Sequence, residues 1–221
     1  MTSSDLIFRG LMFALLLPAI VLHEVSHGYV AYLLGDTTAK DAGRLSLNPL
    51  KHIDLWGTIL LPLLMVATLG FGFGYAKPVP INPYRFKDYR RGMFLTGIAG
   101  PTTNLLLAVI SGLGVRVLGG AVSDPTSALG WTVVALYYFC LMNLSLMFFN
   151  LIPLPPLDGS RVLPLFLSDN AMRTYAKVEQ YGFIILLAAL FLLPRYLGFD
   201  PIDRYFAATV EPLLRLFTGQ G

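Results

Sequence analysis

Two histidines four residues apart, His23 and His27, stand in a long apolar stretch where ionisable side chains are energetically expensive. Residues four apart lie on one face of a helix, so both imidazoles can bind one metal ion. Glu24 lies beside them, where it can take a proton from a water molecule held by that ion. This spacing predicts a zinc hydrolase site at membrane depth.

The composition of the chain is that of a membrane protein. Hydrophobic residues make up 55% of its 221 residues and charged residues 13%, with a mean hydropathy of +0.65. Soluble domains carry about 25% charged residues. Because apolar runs recur along the whole chain, one cleaved signal peptide does not account for them. We expect a single all-α membrane-embedded domain over residues 1–221, a bundle of about four to five transmembrane helices.

The charges and the cysteine exclude other classes of site. The net charge is +3, and the basic residues flank the apolar runs, as the cytoplasmic-side bias predicts. A nucleic-acid partner would need an exposed basic surface with aromatic residues among it, so we expect the lipid bilayer as partner and no nucleic acid. The single Cys140 allows neither an intramolecular disulfide nor a cysteine zinc cluster.

Five apolar runs are candidates for membrane elements. The second is weakened by glycines and a proline, and a proline-rich extended stretch follows it. The last is somewhat short. In chain order the runs are Leu6–Leu34, Trp56–Phe73, Gly92–Gly120, Trp131–Ile152 and Tyr181–Leu193.

Two polar residues in or beside these runs are candidate site residues. Asn104 is an amide at membrane depth, so it should either hold another helix or point at a polar site. Asp158 follows a proline series and precedes Gly159, which is typical of a tight turn on the surface. The two histidines nevertheless need a third ligand, and few isolated acids lie beside an apolar run. Both interpretations of Asp158 stay open on these residues alone.

The polar connections supply three further expectations. His52 is a lone histidine in a polar loop, so we expect a surface or supporting group and not a ligand. Arg44–Leu47 alternates polar and apolar residues, which suits a short strand. The prolines of Lys77–Asn82 make that stretch extended. Either stretch is a candidate to pair with the backbone of an unwound substrate.

A depth argument predicts the topology. If Asp158 completes the site, the helices that end near it and near His27 run in the same direction, so one apolar run between them does not cross. Trp56–Phe73 is the weaker candidate for a crossing and is expected to be re-entrant, which leaves about four full spans. The basic connections 36–54 and 75–91 then share one side, while 121–130 carries no basic residue. We expect the N-terminus outside and the site in the bilayer toward the cytosol.

Three ordered motifs resemble the site-2 protease family of intramembrane zinc metalloproteases, in particular its small bacterial members without a PDZ domain. The resemblance covers roughly residues 6–161, and three motifs in order are more specific than one His-Glu-x-x-His. The motifs are His23-Glu24-x-x-His27, Ala99-Gly100-Pro101-x-x-Asn104 and Asn150-x-x-Pro153-x-Pro155-x-Leu157-Asp158-Gly159.

The resemblance implies a role for each matching residue. It implies one Zn²⁺ per chain, with His23, His27 and Asp158 as its ligands and Glu24 as the catalytic base. Asn104 and Asn150 would help to position substrate or water. Residues 162–221 would add a helix and an interfacial tail to the core.

The resemblance also implies cleavage of membrane-spanning segments of other proteins, by an enzyme of the bacterial cell membrane. The substrate and the oligomeric state stay open. The alternative is a membrane metal-binding or transport protein that uses the same histidines without hydrolysis. Glu24 favours hydrolysis, since a transport site needs no base between its ligands, and the inverted repeats of many transporters are not visible in the sequence.

Overall fold

The computed structural model describes residues 3–54, 60, 64 and 77–220. Within these ranges the regular structure is helical and no strand is present, which confirms the predicted all-α class. The run Trp56–Phe73, expected to be re-entrant, lies outside the described residues except for Leu60 and Leu64.

The described helices vary from four to 31 residues. Short 3-10 turns lie at Pro49–Lys51, Pro83–Arg85 and Leu163–Leu165. The α-helices are α1 (Ser3–Leu33), α2 (Thr38–Asp41), α3 (Tyr89–Gly119), α4 (Ala128–Leu151), α5 (Gly159–Val162), α6 (Asp169–Glu179), α7 (Gly182–Phe191), α8 (Leu193–Leu197) and α9 (Pro201–Thr218).

Three of these helices are long and apolar enough to cross a membrane. They are Ile7–Leu33 within α1, together with α3 and α4, and the shortest of them has 24 residues. At a rise of about 1.5 Å per residue, 24 residues extend about 36 Å, more than the roughly 30 Å of a bilayer's hydrocarbon core. The protein is therefore an integral membrane protein.

The last apolar run is not the full span that its composition suggested. Helix α7 has only ten residues, which extend about 15 Å, half of the hydrocarbon core. A separate five-residue helix, α8, follows at once with Pro194 in its first turn, where the missing backbone N–H is tolerated. The described residues therefore contain three helices long enough to cross the bilayer, where about four full spans were expected.

Helix α3 lies between α1 and α4 and runs antiparallel to both. Its Asn104 contacts Asn143 of α4, while its Gly114, further along, lies against Leu136, which precedes Asn143. On the other side, His23 contacts Asn104 but the later His27 contacts the earlier Thr96. Helices α1 and α4 are therefore parallel, as the depth argument required.

A compact apolar cluster joins α3, α4 and α9. Ala108, Cys140 and Leu144 are fully buried there and pack with Val210 and Leu214 of α9. This cluster lies next to the Asn104–Asn143 contact and packs α9 against α3 and α4.

Candidate metal centre

The three predicted ligands lie together at the C-terminal ends of α1 and α4. The atom pairs are 3.0 Å apart for His23 Nε2 and Asp158 Oδ2, 3.1 Å for His27 Nε2 and Asp158 Oδ2, and 3.0 Å for the two Nε2 atoms. Their residues are only 6%, 3% and 6% exposed for His23, His27 and Asp158 respectively. Among the described residues, these three side chains are close enough together to bind one metal ion.

The chemistry of this donor set fits zinc. Two imidazole nitrogens and a carboxylate oxygen with their lone pairs directed at one point repel one another unless a cation lies between them. Zinc is bound tetrahedrally by nitrogen and oxygen at about 2.0–2.2 Å, which places neighbouring ligand atoms roughly 3.3–3.6 Å apart. The observed separations of 3.0–3.1 Å are a few tenths of an ångström shorter, so a small outward shift of the side chains would accommodate the ion.

Gly100 of α3 closes the site from the third side. A Cβ atom added to Gly100 would overlap the Nε2 atoms of both His23 and His27. A side chain at this position would thus occupy the space to which both imidazoles point. The glycine of the middle motif is required because the backbone of α3 passes directly against the metal position.

The outward nitrogens of both imidazoles bond to α3. His27 Nδ1 donates to the carbonyl oxygen of Thr96 at 2.6 Å, and His23 Nδ1 bonds to Oδ1 of Asn104. Asn104 also donates its amide to Asn143 Oδ1 at 2.8 Å. Asn104 therefore serves both of the roles anticipated for it, because it joins α3 to α4 and faces the polar site.

Asp158 divides its two carboxylate oxygens between two partners. Oδ2 faces the histidines, while Oδ1 lies 3.4 Å from Nη1 of Arg161. The turn is closed by the Arg161 backbone N–H, which donates to the Asp158 carbonyl at 2.9 Å. The partly buried guanidinium of Arg161 balances the charge of Asp158, the predicted third ligand.

The proposed base, Glu24, is held by a backbone group from a distant segment. The N–H of Val79 donates to Glu24 Oε2 at 3.0 Å. Val79 lies in residues 77–82, here called the strap, whose Val79 side chain is itself buried. One carboxylate oxygen of Glu24 is therefore fixed before any substrate arrives.

Polar side chains on both sides of Val79 anchor the strap. Arg44 donates to the carbonyl of Lys77 at 2.7 Å, and the Lys77 N–H donates to the carbonyl of His52 at 2.9 Å. At the other end, the buried Asp36 accepts from the Asn82 N–H at 2.6 Å. The loop that follows α1 thus fixes the strap, and the strap in turn holds Glu24, the proposed general base on α1.

The strap does not offer the open backbone edge expected of it. Two of its six residues are prolines, which lack an N–H. Three of its N–H groups donate to His52, Glu24 and Asp36, which leaves that of Ile81. Residues 44–47 are irregular and do not form the short strand expected there, and for this segment alone pairing with an unwound substrate stays a prediction.

His52 and Asn150 lie away from the three ligand atoms. His52 is buried and has the supporting role that was one of its two expected roles, because its Nε2 donates to the Ser46 carbonyl at 2.8 Å and fixes the loop. Asn150 donates to the carbonyl of Leu146 in its own helix at 2.9 Å. A role for Asn150 in positioning substrate or water stays a prediction.

Sequence reasoning missed Asn143, Arg161 and Val79. Asn143 had a signal, because it is an amide inside an apolar run like Asn104. Val79 holds Glu24 through its backbone N–H, and a pattern of side chains in the sequence cannot predict such a bond. Arg161 is three residues from Asp158, a spacing that in a turn brings the two side chains together.

Comparison with known proteins adds independent information. The model of Peptidase family M50 matches residues 115–193, which include Asp158. The chain is 41% identical over 210 residues to "Putative zinc metalloprotease YwhC" of Bacillus subtilis (strain 168), covering 90% of this chain and 92% of that protein. It is 33% identical over 174 residues to "Putative zinc metalloprotease Rip2" of Mycolicibacterium smegmatis, covering 79% and 64% respectively. No solved structure shows a significant match.

Gly100→Ala tests the metal position. We expect it to reduce zinc binding at least about tenfold, because the new methyl group occupies the space between the imidazoles. Zinc content after dialysis of the purified protein checks this. Gly120→Ala is the matched control, since a Cβ there meets no atom within 4 Å. Full zinc content in Gly100→Ala would show that the ion is held elsewhere.

The pH dependence of stability tests Asp36. Burial by itself raises the pKa of this carboxyl, but hydrogen bonds from Thr38 and Asn82, with Arg85 nearby, hold the pKa below its ordinary value. The ionised form therefore stabilises the fold above pH about 4, and this contribution is lost as the pH falls through the lowered pKa. Asp36→Asn should lower the free energy of unfolding by roughly 1–3 kcal/mol at pH 7 and flatten its acid dependence.

Denaturant unfolding at pH 7 and at about pH 2, below the ordinary pKa of an aspartate, measures both effects. Asp124→Asn is the control, because Asp124 accepts the same pair of bonds from Thr126 two residues later but is exposed. Equal acid sensitivity of Asp36→Asn and the wild type would contradict the role given to Asp36.

Proposed function

Because the chain belongs to peptidase family M50, the site-2 protease family, we propose that this zinc metalloprotease cleaves peptide bonds in or near membrane-spanning segments of other proteins. The observation that carries the proposal is the buried set of two imidazoles and a carboxylate at the ends of spanning helices, with Glu24 beside it. A transport site would have no use for a base held in this position.

His23, His27 and Asp158 would hold the ion. When bound, zinc supplies a Lewis acid that polarises a carbonyl group and makes water more acidic. Three protein ligands leave one position of a tetrahedral site open, which is the arrangement of catalytic and not structural zinc sites. Arg161 keeps Oδ1 of Asp158 occupied, so Oδ2 is the oxygen presented to the ion.

Glu24 would move the proton. Its Oε2 accepts the Val79 N–H, so Oε1 is the oxygen that takes a proton from the attacking water. The same carboxyl then donates that proton to the amine that leaves. The strap fixes the carboxylate by a backbone bond, which restricts the orientations that the base must search.

The position of the ligands favours a substrate within the bilayer. His27 lies six residues before the end of α1, which is about 9 Å along the helix axis. A peptide bond must therefore enter below the membrane surface to reach the site. A helical backbone hides its carbonyls in hydrogen bonds, so the substrate must unwind locally before cleavage.

The topology follows from the basic connections. They carry Arg44, Lys77 and Arg85, and lie at the same end of the bundle as the site. By the positive-inside rule this end would face the cytosol and the N-terminus would lie outside. A bacterial cell membrane is proposed from the resemblance to the small bacterial members of the family. The cytosolic orientation is part of the proposal.

Cleavage by Glu24→Gln tests the function. Purified wild type and variant are incubated with a model substrate that has one membrane-spanning segment, in detergent or in vesicles. We expect a loss of about 10²–10⁴-fold in cleavage rate, because glutamine cannot accept the proton, while the zinc content stays that of the wild type.

Glu179→Gln is the matched control, because it makes the same change of residue type at an exposed position at the end of α6, outside the group of candidate ligands. It should cleave like the wild type. Equal cleavage by Glu24→Gln and Glu179→Gln would reject Glu24 as the base. Cleavage that persists in zinc-free protein would reject the metal mechanism itself.

A further inference from the structure

We propose that Asn143 of α4 is a positioning residue for metal binding. Acting through Asn104, it determines which ring nitrogen of His23 carries the proton, and so presents the other nitrogen to zinc. The inference rests on the metal centre of the proposed function and adds a residue that contacts neither the ion nor its ligands.

The two histidines differ in what holds their protons. His27 Nδ1 bonds to the carbonyl oxygen of Thr96, which can only accept, so this ring must carry its proton on Nδ1. His23 Nδ1 instead faces the side chain of Asn104. An amide can present either an oxygen or an NH₂ group, so Asn104 alone does not fix the proton of His23.

Asn143 removes that ambiguity. Its Nδ2 donates to the carbonyl of Phe139 at 2.8 Å, and because that carbonyl only accepts, the amide orientation of Asn143 is fixed. Its Oδ1 then faces Asn104 and accepts from Asn104 Nδ2 at 2.8 Å. Asn104 is left with its oxygen toward His23, whose Nδ1 must therefore donate.

Burial makes the reverse orientation of the Asn104 amide energetically costly. Asn104 and Asn143 are both 0% exposed, on helices packed face to face. If Asn104 reversed its amide, its NH₂ group would face His23, and two oxygens would face each other between α3 and α4. No solvent is available to satisfy them, so the reversed amide is strongly disfavoured.

Loss of Asn143 would release the amide of Asn104. Reversal would then leave no opposed oxygens, and Asn104 would present NH₂ to His23 Nδ1. The proton of the His23 ring would move to Nε2, which points into the metal position 3.0 Å from Asp158 Oδ2. Zinc would have to displace that proton, so metal binding would weaken while the helix bundle remains assembled.

Asn143→Leu is the direct variant, because leucine is similar in size but lacks both polar groups. The zinc affinity of the purified full chain is measured by competition with a chromophoric chelator at fixed pH. We expect a loss of about 10- to 100-fold, as for other residues that orient a metal-binding histidine. Ser111→Ala, which also removes a buried polar group of α3, should leave the affinity unchanged.

A double-mutant comparison separates positioning from general loss of structure. In an Asn104→Ala background there is no amide to orient, so Asn143 has no group through which to act on His23. Asn143→Leu should then change zinc affinity by less than about threefold, against tenfold or more in the wild-type background. Equal losses in both backgrounds, or no loss in the wild-type background, would overturn the proposal.

Two further measurements keep the result interpretable. His23→Ala should abolish zinc binding; if it binds zinc normally, the proposed metal centre itself fails, whereas normal binding by Asn143→Leu alone defeats only this inference. If Asn143→Leu does not fold, the smaller Asn143→Ala takes its place in both backgrounds. We expect the same loss of tenfold or more in the wild-type background only, and a zinc affinity equal to that of the wild type would overturn the proposal.

Discussion

Three atoms that each carry a lone pair are brought within 3.1 Å of one another in a buried part of a membrane protein. Such a cluster needs a metal cation or a proton between its atoms, and it is held in place only if the outer side of each residue has a partner of its own. Those partners are Thr96, Asn104 and Arg161. The positions of α1, α3 and the turn after α4 follow from the need to bring these groups to one point.

Helix α3 supplies most of that support although it contributes no ligand. It passes so close to the site that only glycine fits at position 100, and its carbonyl and amide groups hold the two imidazoles. The strap, which lies beside α1, has a comparable function for Glu24. The proposed base and the predicted ligands thus depend on two different supports, and Asp36 just after α1 holds the strap at Asn82.

The spacing of His23 and His27 was sufficient to predict that both imidazoles lie on one face of α1, because residues four apart share a face of a helix. The parallel course of α1 and α4 also followed from sequence, by way of the depth that the ligands must share. The strap could not be predicted, since Val79 contributes a backbone group that any residue but proline carries. Nor was it evident that Tyr181–Leu193 forms a short helix, because composition does not specify where a helix ends.

X-ray absorption at the zinc edge of the purified protein tests the ligand set most directly. The account predicts a first shell of nitrogen and oxygen only, at about 2.0–2.2 Å, with the outer-shell scattering of two imidazoles. A sulfur neighbour at about 2.3 Å, or scattering from fewer than two imidazoles, would contradict it.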